Sequence, residues 1–339
     1  MRAAGLHGAC LVGVAALAAA ACADVKSQAD AASPTGAAAT GGAGSGSPFD
    51  RDGGAGTSGT SWQDALGAPP TDFTLTMPGV GGYKRGVPLA NDFATVAETG
   101  QKVCNTIKGV VRDFKGALAA EGGSLEPGGH PDFEVFEGRG LTKGLVAPEL
   151  LDGKPVYTGQ CQTGAAVSPA CPFGAMTTSK KNFDQWYRST EGVNRPFLVY
   201  FLLGEPNASG ISTFYSSRFF PVDGAGWNNN GKDLQGNPHN FGFTTEIHTT
   251  FKYMGGETFT FEGDDDVWVF INHELAVDLG GLHPKMSGSV ELDAQAAALG
   301  IAKGAVYDLD LFHAERHSAE SNFKIDLNFT FESCGYVVP

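Results

Sequence analysis

The sequence predicts an all-β fold, a β-sandwich with short helices and long loops, stapled by disulfides. Three observations predict it. Glycine and phenylalanine are abundant, 48 and 23 of 339 residues, which suits many turns joining aromatic-rich strands. Phe323, Ile325, Leu327, Phe329 and Phe331 alternate with Lys324, Asp326, Asn328, Thr330 and Glu332, as in a strand with one face on a core and one in water. Val267-Trp268-Val269-Phe270-Ile271 is apolar on both faces, so it is expected centrally, between two layers.

The other elements follow in chain order. Residues 1–22 carry Arg2 and then an uncharged, Ala/Gly-rich stretch from Leu11 to Ala21, the pattern of a signal peptide and too short for a membrane span. Two cleavage routes stay open. Ala19-Ala20-Ala21-Cys22 resembles a lipobox, which would make Cys22 a lipidated N-terminus, although Ala19 stands where that motif usually has Leu. Ordinary cleavage after Ala23 would instead release a soluble protein. Residues 23–60 are Ala, Gly, Ser, Thr and Pro with almost no aromatic side chains; such a segment cannot offset its ordering entropy by burial. As a flexible linker it would span about 35 Å, and it reads as a tether. Residues 61–104 form an N-terminal extension with strand character at Phe73-Thr74-Leu75-Thr76-Met77. The main domain is expected over 105–334, with a strand inside 239–253 through Phe241, Phe243, Thr245, Ile247 and Phe251. Short helices are expected near Asn182–Thr190 and Asp293–Leu299.

Outside the leader the cysteines are Cys104, Cys161, Cys171 and Cys334. An even number in an exported chain reads as two disulfides, and no C-x-x-C spacing suggests zinc. Of the three connectivities, a short local loop Cys161–Cys171 with Cys104–Cys334 joining the domain ends is favoured. The net charge of -14 excludes nucleic acid, whose phosphates require a Lys/Arg footprint, and electrostatic docking on anionic lipid. A membrane would be met only through a lipid anchor. Calcium, or neutral polar partners such as glycans, fit the charge better.

Longer strings carry a family resemblance. FTFEGDDDVWVFINHELAVDLGGLHPKMSGSVELD and YDLDLFHAERHSAESNFKID, with VVRDF, HPDFE, FDQWYRSTEGVN, FFPVDGAGW and HNFGFTTEIHTTF, resemble the fibro-slime domain over about 105–334. That family is a branch of the protective-antigen-type β-sandwich superfamily of adhesins, toxins and glycosidase-associated modules. The resemblance implies a lectin-like sandwich. In sugar-binding members two successive Asp residues, joined by a cis peptide, bind calcium that ligates sugar hydroxyls; that pair maps onto Asp264 and Asp265.

On the residues themselves, Asp264, Asp265 and Asp266 stand between two strands, and adjacent carboxylates repel unless a cation or hydrogen-bond donors compensate. Calcium takes six to eight oxygens, which an Asp-rich loop supplies; the competing expectation is that the aspartates cap turn amides. Asn322 is the candidate for a further ligand. His273, in the hairpin Asn272-His273, sits badly in a type I′ turn, so either the turn differs or His273 is displayed outward to a ligand. His283, after Gly280-Gly281, is a second candidate ligand contact. Trp227 is a third, one of the aromatics (with Trp186 and Tyr187) that could stack on sugars or fill the core. His313-Ala-Glu-Arg-His317 has the wrong order for a helical zinc site, and Glu315 and Arg316 are expected to form ion pairs or anchor loop carbonyls. No nucleophile motif, P-loop or dinucleotide fingerprint is present, so no catalytic residue is assigned. The expectation is an exported binding protein, either an outer-membrane or cell-surface lipoprotein or a secreted one. It would recognise an extracellular glycan or matrix polymer through calcium. The alternatives are a structural envelope protein whose calcium only stabilises loops, and a carbohydrate-active enzyme.

Overall fold

The computed structural model describes residues 72–75, 80–90, 104–116, 128–133, 140–163, 166–168, 177–227 and 229–335. The leader with Cys22, the linker to residue 60, Cys171 and the second half of the 73–77 strand lie outside them. Among the described residues no helix is long and apolar enough to cross a membrane.

Two antiparallel sheets form the sandwich. The larger contains β1 (Thr74–Leu75), β2 (Gly82–Pro88), β3 (Thr106–Phe114), β6 (Asn194–Leu202), β10 (Phe243–Lys252), β12 (Asp266–Ile271), β13 (Glu274–Leu279) and β15 (Val306–Glu315). Their order is β1-β2-β6-β3-β10-β15-β12-β13, and β17 (Thr330–Phe331) pairs with β10. The smaller runs β14 (Met286–Glu291), β11 (Thr258–Gly263), β16 (Phe323–Leu327) and β7 (Ser212–Ser216). Two small ribbons, β4 (Cys161–Thr163) with β5 (Ala166–Ser168) and β8 (Gly231–Lys232) with β9 (Pro238–His239), complete the strands.

Period-two alternation decides which side chains meet. Val111, Val199, Ile247, Val269 and Leu311 from the larger sheet face Phe214, Phe261, Val290 and Ile325 from the smaller one in a single buried core. The expectation for Val267–Ile271 holds: Val267, Val269 and Ile271 enter that core, while Trp268 and Phe270 enter a second one on the opposite face. This second core is roofed by the loop segments of 128–187, through Phe133, Leu145, Phe183, Trp186 and Tyr187. Trp186 and Tyr187 are therefore core residues, not sugar platforms.

Two local expectations are corrected, and a third is decided between its two alternatives. The alternating 323–332 segment is two strands, because the chain leaves the smaller sheet after Leu327 and joins the larger at Thr330. The helices are single turns, α1 (Lys180–Phe183) and α2 (Leu292–Gln295). Asn272 and His273 do form a positive-φ turn, at 53° and 67°, so the type I′ geometry is kept and His273 is displayed outward with its side chain 55% exposed. The disulfide Cys104–Cys334 is present, with Cα atoms 5.1 Å apart. Cys161 is disulfide-bonded as well, but its expected partner Cys171 is not described.

Candidate functional site

Three connections cross between the sheets at one end of the sandwich. Asp264 and Asp265 join β11 to β12, residues 280–285 join β13 to β14, and residues 316–322 join β15 to β16. Register brings them together: Gly263 pairs with both Met286 and Phe323, and Val267 with both Leu279 and His313. The β8–β9 hairpin reaches the same place with Leu234. A cleft of about 360 Å³ lies between these four segments, with Asp264 and Asp265 in its lining.

Each aspartate is held differently. A β-carbon on Gly263 would sit 2.4 Å from the Asn322 carbonyl oxygen, so glycine lets β11 approach β16 closely just before Asp264. Asp264 Oδ2 then accepts from the backbone N–H and the side-chain amide of Asn322, both at 2.8 Å. Its Oδ1 is buried and has no hydrogen-bond partner, although the residue is only 5% exposed. Burial raises the Asp264 carboxyl pKa, with Glu320 adding to the effect against the Asn322 donors.

Asp265 takes a left-handed conformation, φ 52°, which short polar side chains tolerate. Its Oδ2 accepts from the backbone N–H groups of Arg316 at 2.9 Å and His317 at 3.2 Å. Burial, with the Asp266 charge beside it, pushes its carboxyl up to about 6 despite Arg316.

Asp266 is turned inward. Its Oδ1 accepts from Gly281 N–H at 2.6 Å and its Oδ2 from Arg316 Nε at 2.7 Å, with both side chains fully buried. The sequence expectation of a third cation ligand at Asp266 is thus corrected; it is the counter-ion of Arg316. That guanidinium also lies 4.6 Å from the Trp186 ring centre and donates to the Asp132 carbonyl at 3.2 Å. Arg316 fulfils the expectation of an ion-pairing, carbonyl-anchoring residue.

The other candidates are scattered. His283 lines the cleft, with Nδ1 and Nε2 placed 2.9 Å from Pro284 O and 3.1 Å from Leu279 O. Asn322 reaches Asp264 with its amide nitrogen, so its side chain serves the carboxylate first. His273 sits beyond the far end of β12, about 20 Å away by strand rise, beside Asp308 at 3.4 Å, and is no part of the cleft. Trp227 lies beside β3, its backbone N–H donating to Asp113 Oδ2 at 2.6 Å and its ring 4.3 Å from the Arg195 guanidinium. Three strand spacings, about 14 Å, separate β3 from β12. His313 packs among core phenylalanines, and burial pushes its pKa down to about 3. The Asp264–Asp265 peptide is not cis; the cis bond among the described residues is Ser318–Ala319, in the neighbouring connection.

Leu234 and the 317–320 loop were missed from sequence. Leu234 sits in a stretch without periodicity, and its hairpin meets the aspartates only through the fold. Chemically, the cleft offers two desolvated carboxylates, each with one oxygen fastened by amides, and Asp264 Oδ1 is left without a partner. A buried charged oxygen without a partner costs roughly 1–3 kcal/mol or more, which a cation would recover. No group of three or more His, Cys, Asp or Glu converges on a metal position among the described residues. This donor set does not suit zinc; it suits a hard cation that completes its shell with carbonyls, water or ligand hydroxyls.

Residues 220–337 match the PA14 domain. Three Dictyostelium discoideum proteins are similar over most of the chain: protein psiR, 37% identical over 62% of this chain and 21% of its own; protein psiJ, 38% identical over 61% and 30%; and protein psiD, 38% identical over 60% and 40%. The chain therefore spans well under half the length of these curated relatives. Among solved structures, a PA14 sugar-binding domain from an RTX adhesin aligns with 68% of this chain and 96% of its own, at 8% identity and a TM-score of 0.22, too low for the likeness to bear on this site.

Proposed function

We propose that the chain is a non-enzymatic, lectin-like binding protein of the fibro-slime type. It takes a calcium ion on Asp264 and Asp265 and, through that ion, the vicinal hydroxyls of an extracellular glycan. The observation that carries this is Asp264 Oδ1, buried and unpartnered in a solvent-reaching cleft whose second carboxylate, Asp265, is equally desolvated. Calcium supplies the positive charge that these oxygens lack, and its remaining coordination positions bind hydroxyls. The protein's own residues do the rest. Asn322 and the amides of Arg316 and His317 hold one oxygen of each carboxylate, so the other keeps its direction without reorganisation.

An open cleft favours this over a calcium ion that merely stiffens loops, which would need no room for a ligand. The match of residues 220–337 to the PA14 domain is consistent with it. Export, by lipoprotein or secretory route, belongs to the same proposal. The test is a glycan array probed with the purified chain in millimolar calcium, in excess chelator, and as the Asp264→Asn/Asp265→Asn variant. Retained signal on a subset of glycans in calcium alone supports the proposal. Equal binding in chelator or by the variant overturns it.

A further inference from the structure

The glycan reading leaves one feature of the cleft unused. Leu234 is 69% exposed, the most exposed large apolar side chain among the described residues, and it lines the cleft with the two aspartates. A single exposed leucine on a loose loop needs no explanation. This one is on a hairpin tip that is firmly fastened. Asp233 Oδ1 accepts from the N–H groups of Gln235 at 3.0 Å and Asn237 at 2.8 Å, and its Oδ2 from Arg218 at 2.9 Å. The N–H of Asp233 donates to the Asn237 carbonyl at 2.9 Å, and Gly236 N–H to the Asp233 carbonyl at 2.8 Å. His239, in the second strand of the hairpin, is stacked on Phe220, ring centres 3.9 Å apart, with Nδ1 on Asp223. The hairpin thus holds an apolar side chain in water at a fixed place, beside a polar floor.

Leu282, Pro284 and Ala319 contribute apolar surface to the same lining. The cleft therefore offers carboxylates in one part and hydrocarbon in another, at a volume near the lower end of the roughly 300–1,000 Å³ common for small-molecule sites. One or two sugar units fill that space. Glu320 adds a further negative charge to the lining.

Resting on the calcium-mediated glycan reading, we infer that Leu234 is the specificity-determining wall of the site. It selects neutral sugar units that carry a C–H face or a deoxy methyl group beside a vicinal diol, and the acidic lining rejects uronic acids. The leucine contributes by contact with the ligand alone, since it shields no core.

The test measures binding of four methyl glycosides, the α-L-fucoside, β-D-galactoside, α-D-mannoside and β-D-glucuronide, to the full chain by calorimetry in saturating calcium. Wild type is compared with Leu234→Ala, Leu234→Asp and Leu234→Met, and calcium affinity is titrated separately for each. Wild type is expected to bind at least one neutral glycoside and to discriminate against the glucuronide. Loss of a hydrophobic contact of this size is worth about tenfold, so Leu234→Ala should weaken the neutral sugar by about that factor and Leu234→Asp by more. Leu234→Met should stay close to wild type, and calcium affinity and Tm should not move in the uncharged Ala and Met variants. Unchanged sugar affinity in the Ala and Asp variants overturns the role of Leu234 while the glycan reading stands. A preference for the glucuronide overturns the selection of neutral sugars. Failure of wild type to bind any of the four, with calcium bound, overturns both this inference and the glycan reading.

Discussion

At the scale of single residues, the aspartate run is three different things in succession. Asp264 keeps an oxygen without a partner, Asp265 is pinned by two backbone amides, and Asp266 neutralises Arg316. Replacing Arg316 by Met would leave the fully buried Asp266 carboxylate uncompensated. Breaking a buried pair from one side costs about 3–5 kcal/mol, so urea unfolding of Arg316→Met should show a loss of that order, with Asp266→Asn/Arg316→Met recovering part of it. Asp265 gives a pH dependence whose sign is fixed. Its carboxyl is pushed up to about 6 in the folded chain. Protons therefore compete with calcium, and calcium affinity should fall as pH drops through about 6. In the metal-free chain the same shift means that the folded state holds the proton more tightly than the unfolded one. That contribution to stability is fully present below the ordinary carboxyl pKa and is lost as pH rises through about 6. Thermal unfolding in chelator across pH 4 to 7 checks it, and added calcium should flatten the trend. The Asp run itself was legible in the sequence as a place of charge repulsion. Which member turned inward was not, because that depends on Arg316, distant in sequence and delivered by a different strand.

At the scale of elements, the outer face of the larger sheet carries a buried polar network that periodicity alone does not reveal. Glu246 on β10 accepts from Arg112 on β3 and from Lys154 of the covering loops at 2.6 Å, and contacts His248. His248 in turn meets Asp310 on β15 at 2.6 Å. The flanking carboxylates outweigh burial and push the imidazole up to about 9. Its stabilising contribution is complete below the ordinary histidine value near 6.5 and is lost as pH rises through about 9. Glu246→Gln should cost about 3–5 kcal/mol and should blunt the alkaline loss in a pH series of unfolding midpoints. Strand identity was easier to read than this network. Val267–Ile271 announced a two-sided burial that the structure bears out, whereas the 323–332 alternation concealed a change of sheet at Asn328-Phe329. Alternation records which side chains are apolar, and both sheets offer an apolar interior.

At the scale of the whole molecule, the disulfide Cys104–Cys334 ties the chain just before β3 to the segment just after β17 across 230 positions, the pairing the cysteine pattern suggested. On the chain-entropy view, closing so long a loop stabilises by about 5 kcal/mol. Cys104→Ser/Cys334→Ser should therefore lower the urea midpoint substantially with the cleft residues unchanged. The all-β sandwich was legible because glycine, aromatic and alternation signals agree across the chain. The cleft was not, since it forms only where three crossovers and one hairpin meet, and no local pattern marks a meeting of segments as distant as Leu234 and Ala319. His273 and Trp227 looked equally eligible until the register placed them at the far end and at the side. The central claim is that Asp264 and Asp265 hold calcium, and calorimetric titration of the purified full chain against the Asp264→Ala/Asp265→Ala variant tests it most directly. The account predicts one calcium ion per chain, with a dissociation constant near 10⁻⁴ M, within roughly the 10⁻⁴–10⁻³ M of extracellular modules, and no binding by the variant. Absence of calcium binding by the wild-type chain, or undiminished binding by the variant, would contradict it.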